Sequence, residues 1–96
     1  MLKLSIIIPV FNEEKTVLTV LKRLHEAVLR GVEKEIIIVD DGSTDATASE
    51  IRNSKYEVRN VKIFRHAKNL GKGAAVKTGI AKASGDYILI QDADLE

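Results

Sequence analysis

Two pairs of carboxylates stand at the ends of apolar runs. Tyr87-Ile88-Leu89-Ile90-Gln91 leads into Asp92-Ala93-Asp94, and Ile36-Ile37-Ile38-Val39 leads into Asp40-Asp41-Gly42-Ser43. Carboxylate oxygens suit Mg²⁺ or Mn²⁺, and Mg²⁺ keeps several waters while sharing a substrate phosphate. A divalent ion on Asp92 and Asp94 would neutralise a diphosphate and act on it as a Lewis acid. An isolated Asp-x-Asp is common, and a solvated turn explains it about equally well. In Asp40-Asp41-Gly42-Ser43, a turn with Ser43 as helix cap explains the Ser. It does not explain two adjacent acids, one of which is placed to accept hydrogen bonds from a base or ribose. Gly71-Lys72-Gly73, opening a small-residue helix, offers backbone N–H groups and an ammonium to phosphate. Glycines for a tight loop with a surface Lys explain it equally. The Walker spacing is absent, as is a G-x-G-x-x-G after the first strand. His25 and His66 lack ligand spacing and read as a helix-surface and a loop side chain.

These groups need a scaffold, and the hydrophobic pattern supplies one. Residues 4–10 form a near-continuous β-branched run, the mark of a strand covered on both faces. Pro9 has no N–H to donate, so pairing is expected to fail near it. Over 14–30 the period becomes helical, with Val17, Val20, Leu21, Leu24 and Val28 on one face. Acidic residues open that helix, and Arg30 and Gly31 close it. A second buried strand spans 35–40. The following helix is capped by Ser43, Thr44 or Asp45, turns Ala48 and Ile51 inward, and ends near Asn53. Residues 53–60 read as surface loop, 61–65 as a third strand and 66–72 as a basic loop. A helix over 74–83 stops at Ser84-Gly85, and 86–91 is a fourth buried strand.

The order βαβαβαβ predicts an α/β, Rossmann-like parallel sheet with helical crossovers. The doubly wound strand order is 3-2-1-4. Ligands of such sheets bind beyond the carboxyl ends of the strands, where the winding reverses, here between strands 1 and 4. Asn12 and Glu13, Asp40 and Asp41, His66 and Lys68, and Asp92 and Asp94 all fall on that edge. One-sided clustering lifts the metal reading of Asp92 and Asp94 above a chance match.

The 96 residues suggest one domain at most, and a hydrophobic content of 45% excludes disorder. A net charge of +1 gives no field of the kind that marks nucleic-acid binders, so no nucleic acid partner is expected. With no Cys, disulfide and thiolate chemistry are excluded, which suits a reducing, cytoplasmic setting. No apolar run approaches the ~18–20 residues that span a bilayer. Met1-Leu2-Lys3 leads straight into a strand pattern rather than a signal peptide.

Taken in order, Pro9-Val10-Phe11-Asn12-Glu13-Glu14, Val39-Asp40-Asp41-Gly42-Ser43, Asn69-Leu70-Gly71-Lys72-Gly73 and Gln91-Asp92-Ala93-Asp94 resemble family 2 glycosyltransferases, which have the GT-A fold. Within that family the chain looks most similar to dolichyl-phosphate or polyprenyl-phosphate mannose or glucose synthases. The resemblance covers residues 1–96 and matches the N-terminal, nucleotide-sugar-binding part of a GT-A domain, truncated here. It implies that Pro9, Phe11 and Glu13 line the nucleotide, with Phe11 where Tyr is frequent. It implies that Val39 and Asp41 hold base and ribose, Asp41 the more directly. Asp92, Ala93 and Asp94 match the metal-and-diphosphate motif, and Glu96 falls where some members add a metal ligand. No catalytic residue is assigned within these 96 residues, which alone are expected to be inactive.

The implied reaction is an inverting, metal-assisted transfer from a GDP- or UDP-sugar to a polyprenyl phosphate or saccharide acceptor. The whole protein would then sit at the cytoplasmic face of a membrane. A second reading is a non-catalytic nucleotide-binding or self-associating module, a homo-oligomer formed through an open edge of the fourth strand. A nucleotidyltransferase is a third. It would place a Gly/Arg-rich loop after the first strand, where Phe11-Asn12-Glu13-Glu14 is acidic instead.

Overall fold

The computed structural model describes residues 1–27, 29–55 and 60–94. In chain order the elements are β1 (Leu2–Val10), α1 (Val17–Glu26), β2 (Val32–Asp40), α2 (Thr47–Arg52), β3 (Val61–Arg65), α3 (Lys72–Lys82) and β4 (Tyr87–Ile90). The four strands form one sheet in the order β3-β2-β1-β4. Every pairing is parallel, as the alternating pattern predicts.

The unbroken apolar runs of β1 and β2 serve two cores at once, because successive side chains point to opposite faces. Ile6, Ile8 and Val10, with Ile36 and Ile38, pack against Val17, Val20 and Leu21 of α1 and Ile51 of α2. Ile7, Ile37 and Val39 pack on the other face with Ala75 of α3, flanked by Phe64 and Ala83. Helix α3 lies so close that a Cβ on Gly79 would sit 2.4 Å from Ile7 Cγ2. The small residues of this helix are what allow that approach.

Pro9 interrupts pairing on one side only. Lys3 and Ile7 accept N–H bonds from Asp86 and Gln91 on the β4 side, whereas Val10 accepts from Asp41 on the β2 side. Alternation therefore directs the missing Pro9 donor toward β4, whose register with β1 ends at Ile7↔Ile90. The β2 register continues through Pro9↔Val39 to Val10↔Asp40.

Several expected boundaries shift. Helix α1 is shorter than 14–30 and has no acidic residue in its first turn. Ala27 is extended there, and Gly31 (φ +74) turns the chain into β2 rather than capping the helix. The closing cation is Lys34, whose ammonium donates to the Leu24 and Ala27 carbonyls. Val28, read onto the α1 face, lies outside the described residues, as do 56–59 of the expected loop. Helix α2 starts at Thr47 without a side-chain bond from its cap residue, Ala46. The Ser43 hydroxyl does not cap it but accepts the Asn12 N–H at 2.9 Å; of the three expected candidates it is Asp45 whose carboxylate accepts the Thr47 N–H, at 2.9 Å.

The reading of the fourth strand as buried is corrected. Tyr87, Ile88, Leu89 and Ile90 are 63%, 44%, 46% and 39% exposed. Strand β4 is an edge that pairs with β1 alone, while α3 packs over β1 and β2. No described helix is long and apolar enough to cross a membrane.

Candidate functional site

The exit turns of β1 and β2 are bound to each other. Asn12 takes a left-handed conformation (φ 52). Its side-chain oxygen accepts the Thr44 N–H at 2.8 Å, and its own N–H donates to Ser43 Oγ. The next N–H, from Glu13, donates to the fully buried Thr47 hydroxyl at 2.8 Å. Glu13 is thereby held at the mouth of the sheet.

Asp41 is the most heavily bonded acid of this edge. It is 2% exposed. One carboxylate oxygen meets His66 Nδ1 at 2.7 Å and accepts the Leu70 N–H at 2.9 Å. The other accepts from Asn69 Nδ2 at 3.1 Å and the Gly71 N–H at 2.8 Å. A carboxylate has about four lone-pair sites, and the chain itself fills them. Burial pushes the Asp41 pKa up, but the His66 bond and the two backbone N–H groups outweigh it and hold the carboxyl below its usual range. His66 in turn meets the Thr78 hydroxyl at 2.8 Å through Nε2, linking Asp41 to the middle of α3. Gly42 lets this loop pass: a Cβ there would lie 2.5 Å from the Lys68 carbonyl carbon, at a φ of +74. Asp40 bonds the Ser43 N–H through Oδ1 at 2.9 Å, and its buried Oδ2 faces Arg65 Nε at 3.8 Å.

The end of β4 is built differently. Ala93 is buried against the α1 side, and its carbonyl accepts a bond from the Thr16 hydroxyl. This fixes the backbone and leaves Asp92 and Asp94 exposed on either side. Asp92 Oδ1 accepts from the Lys72 ammonium at 2.5 Å. That hydrogen bond and the Asp92 charge, with a contribution from Asp94, raise the Lys72 pKa above its ordinary value.

These ends enclose a cleft of about 360 Å³. It is lined by Pro9, Val10, Phe11 and Glu13 beyond β1, Asp41 beyond β2, Asn69, Gly71, Lys72 and Ala75 around the start of α3, and Asp92, Ala93 and Asp94 beyond β4. The structure thus brings together Pro9, Phe11, Glu13, Asp41, Asp92, Ala93 and Asp94. Val39 is not among them: its side chain is fully buried in the α3-side core. Glu96 lies outside the described residues. Among those described, no group of three or more His, Cys, Asp or Glu is arranged to hold a metal ion. His66 and Asn69 fix Asp41, a role the sequence pattern assigns to neither. The signals are the place of Asn69 in Asn-Leu-Gly-Lys-Gly and the place of His66 on the strand-end edge; the partners of His66, 25 and 12 residues away, carry no local pattern.

The family model described as glycosyl transferase family 2 matches residues 5–96. The dolichol-phosphate mannosyltransferase of Pyrococcus furiosus is 41% identical over 99% of this chain. The dodecaprenyl-phosphate galacturonate synthase of Rhizobium johnstonii is 39% identical over 99% of it. The chain spans 26% and 29% of the length of these relatives. Among solved structures, S. aureus TarS in complex with UDP superposes with a TM-score of 0.85 at 30% identity, over 96% of this chain and 27% of that one. The mannosyltransferase PcManGT from Pyrobaculum calidifontis, in complex with GDP-Man and Mn²⁺, gives 0.85 at 28% identity, over 95% and 27%. The match runs through the three strand ends and the start of α3 that line the cleft, and the chain belongs to glycosyl transferase family 2.

Proposed function

We propose that the cleft binds the nucleoside diphosphate of a GDP- or UDP-sugar, and that the chain is the donor-binding part of a glycosyltransferase acting on a polyprenyl phosphate. The carrying observation is convergence. Pro9, Phe11 and Glu13 share one cleft with Lys72, Asp92 and Asp94, at the reversal of winding where open α/β sheets take ligands. The relatives named above act on lipid phosphates by their descriptions, and the structural neighbours hold UDP or GDP-Man.

The donor set fits a divalent ion. Asp92 and Asp94 are exposed hard-oxygen ligands, and Asp92 already attracts a cation, the Lys72 ammonium. Mg²⁺ or Mn²⁺ bound there would supply charge neutralisation and Lewis acidity to the diphosphate; Glu96 follows as a candidate third ligand. Phe11, 41% exposed, offers an apolar wall to the nucleoside. Asp41 shapes the cleft through the loop it holds, and contacts base or ribose directly only by releasing one of its four donors. Lys72 places positive charge where the diphosphate leaves. In the transfer, the bond from the sugar's anomeric carbon to the diphosphate oxygen breaks and its electron pair departs on the nucleoside diphosphate. An acceptor phosphate oxygen forms the new bond from the opposite face, with inversion.

Titrating GDP and UDP, each with Mn²⁺, into the isotope-labelled chain tests this reading. Amide shifts are expected at Phe11, Glu13, Lys72 and Ala93. The double variant Asp92→Ala/Asp94→Ala should bind at least about tenfold more weakly. Equal binding by that variant overturns the assignment.

A further inference from the structure

We infer that Lys72 is a resident counter-ion that occupies the Asp92 carboxylate until a diphosphate draws it away, so that nucleotide and divalent cation promote each other's binding. The inference rests on the reading of the cleft given above and concerns how its parts are coupled.

The root of the Lys72 side chain is firmly placed. It is the first residue of α3, after Gly71 at φ +101. The Gly71 N–H is anchored on the buried Asp41 carboxylate. The tip is not buried: the Lys72 and Asp92 side chains are 63% and 56% exposed. An exposed pair of this kind is weak and exchangeable. An ammonium on a four-carbon stem is a mobile point charge with three donors. Both side chains line the same cleft, with Asp94 beside them. A divalent ion approaching Asp92 alone must displace an ammonium and is repelled by it. A diphosphate in the cleft gives that ammonium a second anionic partner and opens Asp92. Coupling of this form is reciprocal: whatever factor the nucleotide adds to cation affinity, the cation adds to nucleotide affinity.

Lys72→Met, which keeps the stem and removes the charge, tests it alongside Lys72→Arg. The probes are Mn²⁺ alone, UDP or GDP alone, and both together, followed by Mn²⁺ line broadening at the amides of residues 91–94 and by calorimetry. Without nucleotide, Lys72→Met should bind Mn²⁺ about three- to tenfold more tightly than wild type. Without metal, it should bind nucleotide about threefold more weakly. Lys72→Arg should stay within about twofold of wild type. Opposite signs separate the effect from simple misfolding, which weakens both. Mn²⁺ affinity of Lys72→Met equal to or below that of wild type, including no binding by either, overturns the inference. Failure of wild type to bind either nucleotide with Mn²⁺ overturns the reading of the cleft itself. Normal ternary binding with unshifted Mn²⁺ affinity in Lys72→Met removes only the role of Lys72.

Discussion

Asp41 and the Asp92/Asp94 pair are acids beyond the ends of β2 and β4, the strands on either side of β1, yet they are opposite kinds of structure. Asp41 is 2% exposed and meets four donors drawn from residues 66 to 71. Asp92 is more than half exposed, with one ammonium on one oxygen. A buried, saturated carboxylate cannot exchange partners cheaply, so Asp41 organises its surroundings. An exposed one exchanges readily. The cleft has a heavily bonded wall at β2 and an open, charge-bearing wall at β4.

If that division holds, removing Asp41 should cause the largest loss of stability. Asp41→Ala leaves His66 Nδ1 and the Leu70 and Gly71 N–H groups without their acceptor and removes one of the two acceptors of Asn69 Nδ2, at a cost of about 3–5 kcal/mol. Urea unfolding followed by circular dichroism would measure it. A loss below about 1 kcal/mol would mean the loop stands without Asp41, and the contrast between the two walls would collapse.

Acid probes the same distinction at the far end of the sheet. Glu35, 2% exposed, accepts from Lys62 at 2.9 Å, from the Ser5 hydroxyl at 2.7 Å and from the Ser84 N–H at 3.1 Å. Burial pushes its pKa up, but these donors outweigh it and bring it from 4.5 to about 2. A folded pKa below the unfolded one gives stability that is complete above about pH 4.5 and lost as pH falls toward 2. The difference corresponds to roughly 3 kcal/mol. Asp41 shifts in the same direction and should add to the loss. Unfolding free energy measured from pH 7 to pH 2.5 should therefore decline, with a smaller slope for Glu35→Gln. An identical slope would remove Glu35 from the account.

Much of this was legible in the residues. The strand order follows from alternating periods, and the placement of Asp41, Asp92 and Glu13 on one edge follows from that order. Three features were not legible, each for a stated reason. Saturation of Asp41 depends on donors 25 to 30 positions away, including two backbone N–H groups, which carry no residue signature. The apolarity of Tyr87-Ile88-Leu89-Ile90 records a preference for burial, while the exposure reflects an edge position beside β1 alone. Glu35 reads as a charged residue at a strand start. Only the three-dimensional register, which sets it beside Ser5, shows a buried acid pinning the turn before β4.

A smaller effect tests whether Asp41 works as one member of a network. His66→Leu removes one of four donors to Asp41 and the link to Thr78. The cost should be about 1–2 kcal/mol. His66→Gln, which can still donate, should recover part of it in thermal unfolding. A loss as large as that of Asp41→Ala would place His66, not the carboxylate, at the centre.

The smallest expected change in stability belongs to the acids proposed to hold the metal. In Asp92→Ala/Asp94→Ala the backbone is held by buried Ala93 and by the bond its carbonyl accepts from Thr16. The Lys72–Asp92 ion pair lost with the side chains is exposed on both partners. Stability in urea should stay within about 0.5 kcal/mol of wild type, while Mn²⁺-supported nucleotide binding falls. The two readouts must separate for the contrast to stand. A double variant that loses stability in step with binding would show that the β4 end, like the β2 end, is framework, and the contrast between the two walls would fail.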